Sequence, residues 1–488
     1  MSPSAADVVV VGGGPVGVTA ALLLRHRGLS VRVLERTTQV YDLPRAIVMD
    51  DEIQRVFQGV GLDAALRQIT TPLKGAEFVN ASGERIIGAE LPDGALTTLG
   101  HPLTVCYYQP ELEVFLRRAA VDAGVELCLG LEVDRVVDDG DHVDVHAHDE
   151  LGDPIEHSAG WVVAADGASS RIRKALGIAF IDQGFDQDWL VVDVRLRHEM
   201  ATLSTFVQQW CDPARPVTYV PGHGPYRRWE FQLQAGESRE SMAESGRIWS
   251  LLRPWLGPDD AELVRAVVYR FHATVAERMR AGRVLLAGDS AHQMPPFLGQ
   301  GLCSGVRDAA NLAWKVDLVH RGVARDALLD TYGGERLPHA RGVVAHAVDT
   351  GRLIDQLAGR TDQGVGLDAA YGGGRGFPKL ESGVIAGAHS FVGRQLPQPL
   401  VDGARLDEML GDGFAVVVLT GSELAPALEE RWSVVGRVVV VPPGTLTGLL
   451  VPGGGVVVRP DRYVAAVADT PEALGELTDE IQRRTCLT

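Results

Sequence analysis

Between residues 7 and 37 a β-branched run, a glycine loop, an apolar helical stretch and a second β-branched run follow one another with no spare linker. Asp7–Val11 reads as a short strand buried on both faces. Gly12, Gly13, Gly14, Pro15, Val16 and Gly17 contain G-x-G-x-x-G, and an apolar helix is expected from about Val16 to Arg27, stopped by Gly28. Ser30–Leu34 reads as the second strand, with Glu35 at its end. In this order Gly12 allows the tight turn. Gly14 lets backbone approach a pyrophosphate at the helix N-terminus, and Gly17 lets helix and strand pack closely. Glu35 lies 18 residues after Gly17, where a carboxylate accepts hydrogen bonds from ribose hydroxyls. The rival is a glycine-rich turn in another α/β protein, and having strand, helix, second strand and acid together weighs against it. The unit does not distinguish FAD from NAD.

A chain of 488 residues has room for about three domains. Its hydrophobic share of 45% and charged share of 23% exclude wholesale disorder. With 46 basic and 64 acidic residues the formal charge is −18, a field that repels phosphate backbones, so no nucleic-acid partner is expected. Cys106, Cys128, Cys211, Cys303 and Cys486 are scattered without CxxC spacing. No metal site and no dithiol chemistry are expected from them, and they fit a reducing, cytoplasmic setting. The apolar run at the N-terminus leads straight into the glycine loop, so it reads as a strand and not a signal peptide. No window is apolar enough for a membrane span.

Two further strand–loop units decide between the nucleotides. Trp161–Ala165 precedes Asp166-Gly167, and Arg283–Ala287 precedes Gly288-Asp289. Asp289 is expected at the C-terminal end of a strand, where open α/β sheets bind ligands and a carboxylate can hold a ribityl chain. Pro295 and Pro296 stiffen the following loop, and Gly299 and Gly301 let backbone approach a flat object. A helix from about Leu302 to Val319 aims its positive end there.

These residues resemble the class A FAD-dependent aromatic hydroxylases, the para-hydroxybenzoate hydroxylase fold. The glycine loop, the DG pair and the GD pair are similar to its three fingerprints. PPFLGQGLCSGVRDAANLAWK (Pro295–Lys315), QWCDPARPVTYV and RRWEF (within Gln209–Phe231) and PRAIVMDDE (Pro44–Glu52) resemble the 3-(3-hydroxyphenyl)propionate hydroxylase-like branch. The likeness is good to about residue 350 and weak beyond. It implies an α/β chain: a Rossmann-like FAD-binding domain (1–72, 109–180 and 281–360), an inserted antiparallel-sheet substrate domain (73–108 and 181–280), a linker or crossing loop (361–400) and a thioredoxin-like C-terminal domain without CxxC (401–488). It also implies a monooxygenase that hydroxylates a small phenolic aromatic with NADH or NADPH and O2, through a flavin C4a-hydroperoxide. The cofactor residues it implies are Gly12, Gly14, Pro15 and Gly17 at the pyrophosphate, Glu35 and Arg36 at the adenosine, and Arg45 at the phosphates or flavin. Gln109, Gly288 and Asp289 fall at the ribityl side, and Pro296, Gly299, Gly301 and Leu302 line the flavin ring. Asp166 is adjacent, as anchor or direct contact. Arg36 and Arg45 have surface ion pairing as their rival reading, and Gln109 has helix entry.

The substrate region is less legible. Leu190–Leu196, Val217–Val220 and Tyr226–Leu233 alternate as strands of an antiparallel sheet. Tyr219, Trp229 and Phe297 are candidate pocket walls, with core packing as the rival for each aromatic of the sheet. Arg195, Arg227 or Arg228 could bind a substrate carboxylate, or bridge within the sheet. Something must take a phenol proton, and Tyr219, His223 and His292 are the candidates, with a structural hydrogen-bonding role as the rival reading for His292. A helix is expected from Ala324 to about Leu357. Phe414–Leu419, Arg437–Val441 and Gly455–Arg459 read as strands of the last region, with helices at Ala425–Trp432 and Thr470–Arg484. A homodimer is left open. Two other readings stay open: an FAD-dependent dehydrogenase or reductase without oxygen insertion, and a non-catalytic flavin-binding interaction protein.

Overall fold

Val8, Val9 and Val10 have no exposed surface, as a strand covered on both faces requires. They lie in Ala6–Val11, the middle of an eight-stranded sheet in the computed structural model, which describes residues 5–361 and 377–487. Val31–Glu35 pairs with it in parallel on one side and Pro154–Ala164 on the other. Glu126–Leu129 and Val284–Leu286 extend these edges, again in parallel. Glu132–Asp138 and Val143–His148 add antiparallel strands, so the sheet is mixed. Parallel register has one consequence that matters for a site. The loops after Val11, Glu35, Ala164 and Leu286 all emerge at the same edge, which brings the glycine loop, the DG pair and the GD pair together.

The Pro15–His26 helix packs against the long Gly301–His320 helix, and both lie over this sheet. The helical stretch expected from Ala324 is a short 3-10 turn, Asp326–Leu329, followed by the helix Asp330–Leu357.

A second eight-stranded sheet stands apart. Its order is His292–Gln293, Ala261–Ala276, Phe180–Leu196, Tyr226–Gln232, Val217–Val220, Val207–Trp210, Gly75–Val79 and Arg85–Glu90. All neighbours are antiparallel except Val207–Trp210 with Gly75–Val79. Thr104–Tyr107 does not join it. It pairs with Val48–Asp50 and Thr70–Pro72 in a small three-stranded sheet.

The last unit has a four-stranded sheet, ordered Gly436–Val441, Phe414–Leu419, Gly455–Val458, Val464–Ala468, with helices Ala425–Trp432 and Pro471–Arg484 beside it. Buried ion pairs fasten it to the rest. Arg459 meets Glu335 at 2.8 Å, and Arg55 meets Asp407 at 2.6 Å. Of the expected crossing loop, the glycine-rich run 371–376 lies outside the described residues. No helix among the described residues is long and apolar enough to cross a membrane.

Candidate active site

The glycine loop is set by sterics. Gly12 has φ +107, and a methyl group there would collide with the Ala165 carbonyl oxygen; one on Gly17 would collide with the Gly12 carbonyl oxygen. Around Gly14 nothing lies within 4 Å of such a group, so this residue faces open space. The helix that follows has no side-chain cap and no acid in its first turn, so its free N–H groups are available to an anion. Glu35 Oε2 accepts the Gly13 N–H at 2.7 Å, and Oε1 accepts the Thr37 N–H at 2.9 Å. Its carboxylate therefore shapes the loop.

Asp289 follows the Val284–Leu286 strand in a 3-10 turn. Its side chain is exposed and has no hydrogen bond among the described residues. The turn itself is fixed from beneath. Asp308 Oδ2 accepts the Gly288 N–H at 3.0 Å and lies 2.7 Å from His292 Nε2, while Oδ1 accepts from Arg336 at 2.8 Å. Burial opposes charge on Asp308, but His292 and Arg336 outweigh it and hold this carboxyl low. Gly299 closes the Pro296–Leu298 turn at φ +64, where a methyl group would strike Val48. Gly301 opens its helix with no side-chain cap and no acid in the first turn. Leu302, in the same turn, is half-buried.

Gln109 reaches across to a second segment. Its Oε1 accepts the N–H groups of Arg45 and Ala46 at 2.7 and 2.6 Å, and its Nε2 donates to Glu113 at 2.6 Å. Arg36 and Arg45 are exposed, and neither forms an ion pair among the described residues; Arg45 lies over the Tyr41 ring. Asp166 accepts the Ile172 N–H at 3.2 Å in the first turn of the Arg171–Ala175 helix, and its other oxygen is buried without a hydrogen bond among the described residues.

Two groups escaped the reading of the sequence. Arg117 Nε donates to the Gly13 carbonyl at 3.2 Å. Gln109, Glu113 and Arg117 are spaced by four along one helix and all are buried, and that polar stripe was the available signal. Arg307 donates to Asp50 at 2.6 Å, to Glu52 at 2.6 Å and to Gln300 at 3.0 Å, which locks the start of the Gly301–His320 helix.

The large sheet corrects several substrate and base candidates. Tyr219 and Trp229 do not line a pocket. They lie in a core with Leu190, Val192, Ile248 and Leu252, on the face covered by the Ser245–Leu252 helix. Tyr219 donates its hydroxyl to the Ser204 carbonyl at 2.9 Å, and burial pushes that hydroxyl up to about 12, which rules out a base at neutral pH. Arg227 is spent on its own turn, donating to the carbonyls of Gly224 and Tyr226. His223 bonds Thr71 at 2.8 Å, and Arg195 is exposed towards the end of its strand. His292 is wholly buried against Asp308 and cannot touch a substrate. Phe297 does sit between layers, edge-on to Trp189 at 5.3 Å and to Phe185 at 5.8 Å.

The opposite face of the sheet is charged. Arg228 forms a bidentate pair with Asp193 at 2.7 and 3.1 Å, and donates to the Arg45 and Pro44 carbonyls at 2.6 and 3.2 Å. This face therefore looks towards the Arg45 segment and the Pro296–Leu298 turn. The residues present fit a flavin dinucleotide: a pyrophosphate at the open Gly14 side, and a polyol chain at the unpartnered Asp289 carboxylate.

Comparison with known proteins agrees. Residues 5–347 match the family model described as "FAD binding domain". The chain is 38% identical over 441 residues to the "Probable NADH-specific resorcinol 4-hydroxylase" of Rhodococcus jostii (strain RHA1), covering 87% of this chain and 81% of the relative. It is 33% identical over 531 aligned positions to a 3-(3-hydroxy-phenyl)propionate/3-hydroxycinnamic acid hydroxylase of Escherichia coli (strain SMS-3-5 / SECEC), covering 97% and 94%. The fold matches that of the flavin-dependent monooxygenase PieE, solved with FAD and substrate, with a TM-score of 0.84 at 22% identity over 99% of this chain and 100% of that one. The protein belongs to the FAD binding domain family, and its cofactor is FAD.

Proposed function

We propose that this protein is an FAD-dependent monooxygenase that hydroxylates a phenolic aromatic ring at the expense of NADH and O2. The observation that carries the reading is the unpartnered Asp289 carboxylate beside an uncapped helix end, facing a sheet whose inner face is polar. When bound, FAD supplies hydride acceptance from the nicotinamide and activation of dioxygen. The chain's own residues hold it. The helix at Pro15 receives the pyrophosphate, Glu35 the ribose, and Asp289 the ribityl hydroxyls. The helix at Gly301 lends its positive end to the ring, which favours an electron-rich flavin. The relatives' named substrates support a phenol, and the Rhodococcus relative's name supports NADH over NADPH.

The same reading divides the chain into FAD-binding segments (1–72, 109–180, 281–360), a substrate layer (73–108 and 181–280, apart from Thr104–Tyr107), a crossing segment (361–400) and a thioredoxin-like unit (401–488). Support for the last is its strand order, with Gly455–Val458 antiparallel to both neighbours and Phe414–Leu419 parallel to Gly436–Val441. Five unpaired cysteines support a reducing, cytoplasmic setting.

The test is a screen of resorcinol, hydroxyphenyl-alkanoates and polycyclic phenols for stimulated NADH oxidation. The expected result is oxygen consumption with a product heavier by one oxygen atom. NADH consumed with no oxygen in the product makes the protein a reductase. A bound flavin reduced by neither nicotinamide makes it non-catalytic.

A further inference from the structure

We propose that Glu230 is the group that receives the substrate's phenolic hydroxyl, accepting first its hydrogen bond and then its proton; this rests on the phenol-hydroxylase reading above. Alternation along Tyr226–Gln232 puts Arg228, Glu230 and Gln232 on one face. At one end of that row Arg228 holds the carbonyls of Pro44 and Arg45. At the other end Gln232 pairs across the strands with Trp189, which packs on Phe297. Glu230 is the middle residue, beneath the gap between the Arg45 segment and the Pro296–Leu298 turn. Those two segments flank the cofactor position, and a substrate ring must enter between sheet and cofactor.

The Glu230 side chain is buried, yet its carboxyl makes no hydrogen bond among the described residues. Its near partner among the described residues is Arg228 Nη1 at 3.8 Å, too far for a hydrogen bond, so the carboxyl keeps its acceptor positions for a donor from outside the chain. Its neighbours are otherwise engaged. On its own strand Arg228 commits Nε and Nη2 to Asp193 and Nη1, the atom that approaches Glu230, to the Arg45 carbonyl. The Phe180–Leu196 strand brings Asp193, and the Ala261–Ala276 strand brings Arg265. The Val217–Val220 strand brings Thr218, whose hydroxyl donates to Gln209 at 2.6 Å. Burial raises the Glu230 carboxyl most; Arg228 and Arg265 lower it and Asp193 raises it, with the balance at about 7. A base poised there takes a proton efficiently at neutral pH. In the step, the phenol O–H bond breaks, the proton goes to a Glu230 oxygen, and the electron pair stays on the phenol oxygen and enriches the ring. The earlier base candidates have no comparable position, since Tyr219 is on the far face, His223 is in the turn before Tyr226 and bonded to Thr71, and His292 is buried against Asp308.

The test uses the FAD-loaded enzyme with Glu230→Gln and Glu230→Asp, the flavin absorbance serving as the folding control. Wild type should lose kcat/KM with unit slope below about pH 7. Glu230→Gln should lower the hydroxylation rate about 100-fold or more and abolish that acid limb. A phenol acidic enough to arrive already ionised should recover most of the loss. Glu230→Asp should keep the limb. A Glu230→Gln enzyme with the wild-type rate and acid limb overturns the assignment while leaving the hydroxylase reading intact. A flavin-loaded wild type that inserts oxygen into no phenol overturns both.

Discussion

The two faces of the large sheet differ more than any two domains of the molecule. One carries Leu190, Val192, Tyr219, Trp229 and Phe231, closed over by the Ser245–Leu252 helix. The other carries Asp193, Arg228, Glu230 and Gln232, equally buried. Alternate residues of one strand thus serve opposite purposes. Burial does not separate core from site here. What separates them is the chemistry buried: one face is apolar with the Tyr219 hydroxyl tied to the Ser204 carbonyl, and the other carries charges, among them a Glu230 carboxyl with no hydrogen bond among the described residues.

Substitutions on the two faces should therefore part company. The largest effect is expected for Arg228→Met, which leaves buried Asp193 with only the more distant Arg265, at 3.8 Å, and frees the Pro44 and Arg45 carbonyls. It should cost about 3–5 kcal/mol in a urea melt and weaken FAD binding as well. Trp229→Ala, one residue away, should cost a similar ~3–5 kcal/mol through its cavity while the folded fraction titrates FAD normally. Equal loss of FAD affinity in both would erase the distinction between the faces. Asp289→Ala tests the cofactor loop that follows Val284–Leu286, outside the large sheet. Losing hydrogen bonds to a charged acceptor, at ~1.5–3 kcal/mol each, should give largely colourless protein on purification. Unchanged flavin occupancy would displace the ribityl chain from this loop. The smallest effect belongs to Tyr219→Phe, about 1 kcal/mol for one hydrogen bond, with no change in the pH profile of turnover. A shifted profile would return Tyr219 to the list of bases.

Much of the cofactor side was legible because its rules are local. Gly12 must take a positive φ, and Gly17 must let the loop carbonyl pass. Asp289 must follow a strand. Each requirement is written within a few residues of the motif. Gln109, Glu113 and Arg117 were only half legible. Their spacing marks one helix face, but nothing in it says that the face meets the Gly13 carbonyl. His292 was open between base and structural hydrogen-bonder, because a histidine beside a ligand loop looks the same in sequence whether Asp308 lies behind it or not, and Asp308 decides for the structural role.

The sequence alone determined the strand–loop–helix unit at residues 7–37, the two aspartate loops and the alternation of the inserted strands, since backbone sterics and hydrogen bonding act over a few residues. It also determined that Trp229 and Glu230 point in opposite directions. Which direction meets the cofactor was left to the tertiary structure. A period of two fixes the partition of side chains and not its sign, and only the packing of the Ser245–Leu252 helix on one face and the Pro44–Arg45 segment on the other chose it.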